Sequence, residues 1–351
     1  MPGPATNAAA AAAVTETGRI DPMLATLTGR RDFDASWIFE RKFDGIRAVA
    51  LRAGGRVRLL SRRGNPLEAT YPELVEALAA QPGGDFAVDG EIVALDAAGR
   101  TDFALLQQRS GLTAPREVAA ARTRVPVHYY LFDLLALGRE DTTGLPLRER
   151  KRLLRDHLDF GGGAELRWTP HRNHPARGGA QALLDDACRR GWEGLIAKRS
   201  DARYVHRRSP DWLKLKCAAG QELVVGGFTE PRGSRIGFGA LLLGHYERGG
   251  GASGHGAAAP GRLRYAGKVG TGYDTRTLRA LRERLDALEQ PESPFADRVR
   301  EPAAHWVRPE LVAQIAFTEW TRDGMLRHPR YLGLREDKSA REVVRETPPG
   351  R

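Results

Sequence analysis

The chain has 351 residues, enough for two domains with ordinary hydrophobic cores. Hydrophobic residues make up 41% and charged residues 28%, as in globular proteins, and no apolar run reaches the roughly 18–20 residues that cross a bilayer. The net charge of +11 suits a polyanion such as nucleic acid, although a general bias of the sequence towards Arg would produce the same surplus.

The first part of the chain predicts an α+β domain in which sheet dominates. Residues 1–20 are rich in Ala and carry no Lys or Arg before Arg19, which predicts a disordered tail rather than a signal or transit peptide. Apolar and alternating residues then predict two strands over 36–51, broken at Asp44 and Gly45. The other predicted elements are strands over 56–60, 85–95, 125–132, 194–199 and 212–216, and helices over 72–80, 146–158 and 179–190.

Beyond Cys217 the pattern changes to short strands separated by Gly-rich turns, which is typical of a small β-barrel. Residues 248–261 form a low-complexity segment that predicts a flexible hairpin loop. The predicted elements are strands over 222–228, 240–247 and 262–269, and a helix over 275–289 with Leu278, Leu281, Leu285 and Leu288 on one face. We place the domain boundary at 217–221 and expect a flexible tail over 341–351.

Lysine is scarce in a sequence that otherwise prefers Arg. Of the 55 basic residues only seven are Lys: Lys42, Lys151, Lys198, Lys214, Lys216, Lys268 and Lys338. Arg stays protonated and cannot act as a nucleophile, so retained Lys residues are candidates for chemistry. We interpret Lys151 as a chance survivor in a charged helix. The two cysteines, Cys188 and Cys217, are too few for a disulfide framework and lack metal-ligand spacing, which favours a reducing cytoplasm.

Residues 40–47 read ERKFDGIR and place a Lys at the end of a predicted strand. Strand alternation puts Lys42 and Asp44 on the same face, and Gly45 lets the backbone turn beside a ligand. This arrangement suits attack on a phosphate. By itself, the octapeptide equally fits an ordinary strand end with a solvated Lys.

Four further segments carry acids and bases at strand spacing. They are SRRG at 61–64, DGEIVAL at 89–95, EGLIAKR at 193–199 and WLKLK at 212–216. Each one alone fits a polar strand edge. Together they place carboxylates and ammoniums in one sheet, as a nucleoside triphosphate with a divalent metal requires.

In this order, the segments resemble the covalent nucleotidyltransferases, specifically the ATP-dependent DNA ligases. YLFDLL at 130–135 and HPRYLGLREDK at 328–338 extend the resemblance, which runs from Asp21 to Lys338. The segments at 227–244 and 265–274 are similar to the bacterial end-joining branch, the ligase module of DNA ligase D and its stand-alone relatives. The resemblance implies an ATP-grasp-like nucleotidyltransferase (adenylation) domain over 21–217, followed by an OB-fold β-barrel over 218–340.

The resemblance implies a three-step reaction that begins at Lys42. This residue attacks the α-phosphate of ATP and forms a lysyl-adenylate, AMP passes to the 5′-phosphate of a nick, and the 3′-hydroxyl displaces AMP. A free Lys, with a pKa of about 10.4, is a poor nucleophile at neutral pH. We therefore expect Lys198, Lys214, Lys216 and a bound metal to favour the neutral amine and to neutralise the phosphates.

The remaining roles in the first domain also come from the resemblance. Glu40 and Arg47 hold the nucleoside, Phe132 stacks on adenine, and Arg62 contacts the ribose or the nick phosphate. Without the resemblance, Phe132 reads as a core aromatic residue.

A divalent metal, Mg²⁺ or Mn²⁺, is implied together with ATP. Glu91 and Glu193 serve the metal and ribose side, and Asp44 either orients Lys42 or binds the metal.

In the second domain, the last motif is implied to close over ATP during adenylation and to orient pyrophosphate. The matching positions are Arg330, Arg335, Asp337 and Lys338. Lys268 either contacts a DNA phosphate, as the resemblance allows, or simply occupies a turn.

The implied partners are nicked or broken double-stranded DNA and an end-binding protein that recruits the enzyme. We expect a monomer in the cytoplasm, associated with the nucleoid and not with a membrane. The chain is too short for attached polymerase and nuclease modules, which leaves open whether it acts alone or with separate modules. Two alternatives remain from other classes: an RNA ligase or GTP-dependent capping-type nucleotidyltransferase, and a non-catalytic DNA-end-binding factor.

Overall fold

The computed structural model describes residues 20–174, 179–217, 220–231, 233, 235–247 and 261–346. The chain divides after Cys217 into two compact parts, which we call the N-terminal unit and the C-terminal unit. Most of the predicted N-terminal tail, nearly all of the predicted loop at 248–261 and the last five residues lie outside the described residues. Ile20, at the end of the predicted tail, is buried in the N-terminal unit.

The N-terminal unit contains two β-sheets. The five-stranded sheet has the order β1-β11-β10-β2-β9. Its strands are β1 (Leu24–Leu27), β2 (Trp37–Lys42), β9 (His171–Asn173), β10 (Gly194–Arg199) and β11 (Arg208–Lys216). The six-stranded sheet has the order β4-β3-β5-β6-β7, with β8 beside β6. Its strands are β3 (Ile46–Ala53), β4 (Arg56–Ser61), β5 (Phe86–Ala94), β6 (Val127–Leu137), β7 (Glu140–Asp141) and β8 (Leu166–Trp168).

Five helices accompany these sheets in the described part of the N-terminal unit. They are α1 (Pro72–Ala79), α2 (Phe103–Gln107), α3 (Pro115–Arg124), α4 (Leu147–His157) and α5 (Gly179–Arg189). Helix α1 begins with Pro72, whose missing N–H costs nothing in the first turn. Helix α2 is capped by Asp102, whose side chain accepts a hydrogen bond from the Leu105 amide at 3.1 Å. The sequence did not predict α2 and α3, because α2 is short and α3 is mostly polar.

The two sheets share a buried apolar layer. Val49 and Ala87 of the six-stranded sheet lie in one hydrophobic cluster with Trp212 of the five-stranded sheet, and Phe132 belongs to the same cluster. A second cluster packs α5 against the other face of the five-stranded sheet. The five-stranded sheet is therefore covered on both faces, and its two faces meet different surroundings.

The C-terminal unit is built on a seven-stranded antiparallel sheet. Its strands are β12 (Gly220–Thr229), β13 (Leu241–Tyr246), β14 (Leu263–Val269), β15 (Glu289–Gln290), β16 (Ala304–Val307), β17 (Val312–Ala316) and β20 (Arg330–Leu334), and a small hairpin pairs β18 (Glu319–Trp320) with β19 (Leu326–Arg327). Strand β12 pairs with β13, β16 and β17 along its length, which bends the sheet around one core.

One α-helix, α6 (Thr275–Asp286), packs on the described part of the C-terminal unit, which also contains a short 3₁₀ helix (Ala340–Glu342). Asp274 caps it by accepting a hydrogen bond from the Thr277 amide at 2.7 Å. Leu278, Leu281 and Leu285 enter the core as expected, but the helix ends before Leu288.

The flexible tail expected over 341–351 is wrong for residues 341–346. Val343 is buried in a cluster with Val224 and Tyr246. The Tyr246 amide donates a hydrogen bond to the Val343 carbonyl at 2.7 Å. The apolar Val343–Val344 pair thus adds to the C-terminal unit.

The expectation about the cysteines is also wrong. Cys188, near the end of α5, forms a disulfide with Cys217, and their Cα atoms are 5.3 Å apart. The backbone allows this because the Cys217 amide donates a hydrogen bond to the Glu193 carbonyl, which brings the end of β11 beside the turn after α5. The pairing removes the support that the two cysteines gave to a reducing compartment. No helix in the described parts of the chain is long and apolar enough to cross a membrane.

The disulfide predicts a redox-dependent contribution to stability. It closes a loop of 29 residues, for which the loss of entropy in the unfolded chain amounts to about 3–4 kcal/mol. We expect Cys188→Ser to lower the free energy of unfolding by about that amount in urea titrations without reductant. Adding dithiothreitol should bring the wild-type protein down to the variant. An equal gap with and without reductant would contradict the bond.

Candidate active site

Strand register in the five-stranded sheet brings the predicted acids and bases to one face. Strand β10 lies between β2 and β11, with Gly194 opposite both Lys42 and Lys216 and Ile196 opposite both Glu40 and Lys214. Cross-strand partners share a face, and so do residues two apart along a strand. The side chains that share this face are therefore Glu40, Lys42, Lys198, Lys214 and Lys216. Neighbouring strands are about 4.8 Å apart, so Lys216 lies roughly two strand spacings from Lys42.

Lys42 contacts a carboxylate rather than open solvent. Its Nζ forms an ion pair with the Glu193 carboxylate, and its side chain is 19% exposed. We expected a ring of cations to favour the neutral amine. The contact seen here is with an anion instead, so Lys42 has a counterion directly at its reacting atom.

Glycines on both sides of Lys42 let the strands approach closely. A Cβ on Gly45 would overlap the carbonyl oxygen of Ile92, and one on Gly194 would overlap that of Leu215. Gly194 also has φ of +150°, which side chains rarely adopt. Gly45 and Gly194 are thus required for the approach of the strands around Lys42.

Glu40 is buried and shared by two ammoniums. Its Oε1 lies 2.6 Å from Lys151 Nζ and its Oε2 lies 2.7 Å from Lys198 Nζ. Burial opposes ionisation of Glu40, but the two lysines outweigh it and hold its pKa below the ordinary value. Burial, which the single shared carboxylate only partly offsets, lowers the pKa of Lys198 to about 8. One carboxylate cannot neutralise two ammoniums, so the cluster carries an excess positive charge.

Our interpretation of Lys151 as a chance survivor is wrong. It is 1% exposed, pairs with Glu40, and donates a hydrogen bond to the Thr169 carbonyl at 3.1 Å. Its Nζ also lies 4.4 Å from the centre of the Trp168 ring. The scarcity of Lys in the sequence could have identified Lys151 as a site residue, because that argument applies to every retained Lys.

The six-stranded sheet contributes Arg47, Glu91 and Phe132. Arg47 and Glu91 are direct cross-strand partners and share a face. The Arg47 guanidinium forms two hydrogen bonds to Asp89, at 2.5 and 2.6 Å, and lies 4.5 Å from the centre of the Phe132 ring. Burial opposes the charge on Arg47, but Asp89 raises its pKa above the ordinary value. Lys198 Nζ reaches the same Phe132 ring at 4.3 Å, which brings groups of the two sheets together.

Arg62 follows β4, and its amide donates a hydrogen bond to the Arg47 carbonyl at 3.1 Å. The backbone thus ties the SRRG segment to the strand that carries Arg47.

Asp89 and Tyr204 are site residues to which the sequence analysis assigned no role. Asp89 is fully buried and receives hydrogen bonds from Arg47 and, at 2.6 Å, from the Tyr204 hydroxyl. Burial raises the pKa of Tyr204 well above its usual value, and the Asp89 charge adds to this. A role for Asp89 could have been predicted because it belongs to DGEIVAL. Tyr204 lies in a loop and belongs to none of the sequence motifs.

The carboxylates expected at the metal do not gather in the part of the chain that the structure describes. No group of three or more His, Cys, Asp or Glu side chains there could hold a metal ion, so Asp44, Glu91 and Glu193 form no cage by themselves. Their carboxylate oxygens are nevertheless the type of ligand that Mg²⁺ takes, together with water and phosphate oxygens.

The last-motif residues and Lys268 belong to the C-terminal unit. Arg335 forms two hydrogen bonds to Asp337, at 2.8 and 2.9 Å, and both side chains are buried. Lys338 pairs with Glu222 at 2.8 Å, and the half-exposed Lys268 pairs with Glu301 at 2.7 Å. Arg330 is exposed at the start of β20. The structure thus brings the nucleophile set together in one unit and holds this second set in the other.

Comparisons with known proteins agree with these observations. Residues 22–216 match the family model of the ATP dependent DNA ligase domain, and residues 234–338 match that of the ATP dependent DNA ligase C terminal region. The chain is 39% identical over 334 residues to the multifunctional non-homologous end joining protein LigD of Pseudomonas aeruginosa, covering 94% of this chain and 37% of that protein. It is 38% identical over 344 residues to the multifunctional non-homologous end joining DNA repair protein LigD of Mycobacterium tuberculosis, covering 95% and 41%.

The chain therefore spans about two fifths of the length of these curated relatives. Among solved structures it is similar to mycobacterial DNA ligase D complexed with ATP and MES. The TM-score is 0.64 at 34% identity, and the match covers 94% of this chain and 99% of that one. The predicted fold, an α+β nucleotidyltransferase domain followed by an OB-fold, is confirmed.

The buried Lys198 ammonium predicts a specific dependence of stability on pH. Its pKa is about 8 in the folded chain against 10.5 when unperturbed. Between these values the unfolded chain binds more protons, so stability rises as pH rises through 8. From pH 8 to 10 we expect the free energy of unfolding of the wild type to gain about 2 kcal/mol relative to Lys198→Met in urea titrations. Parallel pH profiles for the two proteins would contradict the burial of a charged Lys198.

Proposed function

The chain belongs to the ATP-dependent DNA ligase family, and from that premise we propose that it seals 3′-hydroxyl/5′-phosphate breaks in duplex DNA through Lys42. The observation that carries the proposal is the shared face of β2, β10 and β11. It presents Lys42, Lys198, Lys214 and Lys216 within the same unit as Arg47, Glu91 and Phe132. A nucleotide between the sheets would meet ammoniums at its phosphates and an aromatic ring at its base.

In the first step, Lys42 Nζ forms a bond to the α-phosphorus of ATP while the bond to pyrophosphate breaks. The attacking amine must be neutral, and the Glu193 carboxylate that contacts Nζ is the nearest acceptor for its proton. Lys214 and Lys216 stabilise the charge on the phosphates during attack. AMP then passes to the 5′-phosphate of DNA, and attack by the 3′-hydroxyl releases it.

At the nucleoside end we assign three contacts. Phe132 stacks on adenine, Arg47 holds the ribose, and Glu40 contacts the base edge. The support for Glu40 is its charged cluster, since Lys151 and Lys198 hold the carboxylate in one position. The Arg62 amide is hydrogen-bonded to the Arg47 carbonyl, and we assign the Arg62 side chain to the ribose or the nick phosphate.

A divalent ion, Mg²⁺ or Mn²⁺, would be held by Glu91 and Glu193, with Asp44 as a third candidate. When bound, it neutralises phosphate charge. In the C-terminal unit, Arg330, Arg335, Asp337 and Lys338 would orient pyrophosphate. Arg335 and Asp337 hold each other in a rigid pair, which suits one defined orientation of the guanidinium.

The biological setting we propose is the repair of broken DNA by end joining. Support comes from the two relatives, which are named for non-homologous end joining, and from the net charge of +11, which favours DNA. We propose that the chain acts as a monomer in the cytoplasm on nicked or broken duplexes. An end-binding protein would recruit it.

The covalent intermediate can be tested by intact-mass spectrometry after incubation with ATP and Mg²⁺. We expect a mass increase of one AMP in the wild type and none in Lys42→Ala. Lys42→Arg is the matched control, because it keeps a positive charge beside Glu193 but has no nucleophilic amine. Labelled GTP in place of ATP separates this proposal from the capping-type alternative. An AMP adduct on Lys42→Arg would remove Lys42 from the mechanism.

We propose that the C-terminal unit binds DNA, which predicts that the affinity for DNA depends steeply on the salt concentration. We expect the affinity for a nicked duplex to fall about 10³-fold or more between 50 and 200 mM salt if about six phosphates are contacted. Lys268→Ala should weaken binding on all sequences and reduce the log–log slope by about one. Glu301→Gln, which frees Lys268 from its ion pair, should keep the slope. An unchanged slope in Lys268→Ala would favour the simple-turn interpretation.

A further inference from the structure

A cavity of about 500 Å³ lies on the side of the five-stranded sheet facing away from Lys42. Phe39 and Arg41 line it, and strand alternation points them away from Glu40 and Lys42. Leu195, the direct cross-strand partner of Arg41, lines the same wall. The opposite wall comes from Leu183 of α5 and from Trp192. This cavity is therefore distinct from the space that we assign to ATP.

Arg41 is a cation on this wall, and among the described residues it makes no ion pair, although the Asp96 carboxylate is near enough to favour its charged form. Within the same described part of the chain, its Nη2 reaches the Thr101 hydroxyl at 3.5 Å and its buried Nε has no hydrogen-bond partner. Its guanidinium lies between the rings of Phe43 and Trp192, 5.3 and 5.1 Å from their centres. Burial lowers the pKa of Arg41, yet an Arg stays charged at neutral pH. An anion in the cavity would supply the missing partner.

The Arg41 Nε is thus a buried donor at this cavity that a ligand could satisfy. His171 also borders the cavity, but it is the direct cross-strand partner of Glu40, so its ring belongs to the polar face of β2 and not to the face of Arg41.

The rest of the lining is aromatic. Phe43 and Tyr130 stack at one end with their centres 4.3 Å apart, and Phe39 and Trp192 belong to the other walls. Flat rings of this kind bind planar aromatic groups, and the volume is in the range of small-molecule sites. The second cation of the lining, Arg172, already pairs with Asp186 at 3.6 Å, which leaves Arg41 as the cation for a ligand.

We propose that this cavity binds a nucleoside monophosphate unit, with its base among the aromatic rings and its phosphate on Arg41. The choice of a nucleotide among planar anions rests on the proposed function. Two sources carry this chemistry: the free AMP that each sealing cycle releases, and the 5′-phosphorylated end nucleotide of a DNA strand.

The test uses the full chain after adenylation of Lys42, so that the first nucleotide site is occupied. Intact mass reports the lysyl-AMP and so tests the proposed function separately. After removal of free nucleotide, equilibrium dialysis measures the binding of labelled AMP. We expect one further equivalent, bound at least tenfold more weakly in Arg41→Gln and in Leu183→Trp, which fills the cavity from α5. Arg189→Gln is the matched control, because it removes an exposed Arg of the same helix that does not line the cavity.

A 5′-phosphorylated single-stranded hexanucleotide distinguishes the two sources. Its displacement of AMP from the adenylated protein, lost in both cavity variants, would assign the cavity to a DNA end. Binding of AMP alone would assign it to the released product. If neither probe binds, or if Arg41→Gln and Leu183→Trp bind both as the wild type does, the proposal is wrong. Should adenylation itself fail, the same dialysis on Lys42→Arg still reports whether the two cavity variants weaken AMP binding.

Discussion

The buried carboxylate of Glu40 joins the parts of the N-terminal unit on which the site depends. It receives Lys151 from α4 and Lys198 from β10, and α4 packs on β6 of the other sheet. Burying three charges is costly, and a well-packed apolar cluster would often be as stable. The arrangement has another consequence, however. Because the cluster keeps an excess positive charge in a buried layer, it favours a polyanion such as a triphosphate over any neutral ligand.

In the six-stranded sheet, the positive charge has a matching carboxylate. Arg47 is matched by Asp89, and Tyr204 completes the hydrogen bonding of that carboxylate. A satisfied pair of this kind adds little net charge but holds the guanidinium in one position. Together, the Glu40 cluster supplies an excess positive charge, and the six-stranded sheet supplies polar groups in fixed orientations. Such a division suits a ligand with a charged end and a hydrogen-bonding end.

Much of this could be predicted from the sequence, because the informative residues lie on regular strands. Alternation predicted that Lys214 and Lys216 share a face, and apolar periodicity located most strands and long helices. The register that aligns Lys42, Lys198, Lys214 and Lys216 could not be predicted, and the acid and base segments lie in two sheets rather than in the single sheet expected. Ion-pair partners could not be predicted in the same way. The contacts of Lys151 with Glu40 and of Tyr204 with Asp89 join residues more than 100 positions apart, and they depend on how helix and loop return to the sheets.

The same limit explains two errors. Cys188 and Cys217 are 29 residues apart, and only the return of β11 beside α5 brings them into bonding distance. Residues 341–346 look polar and terminal, yet Val343 fits a gap in the apolar surface of the C-terminal unit. Local patterns report how a residue faces its own element, whereas these contacts depend on the packing of distant elements.

Strand β2 shows how one short segment can serve two sets of surroundings. Its even-numbered residues, Glu40 and Lys42, face a polar layer with fixed ion pairs, whereas Phe39 and Arg41 face an aromatic cavity. Adjacent residues on a strand cannot move independently, since a shift of the backbone displaces both faces. A backbone shift at Arg41 would therefore also move Lys42, its neighbour on the other face.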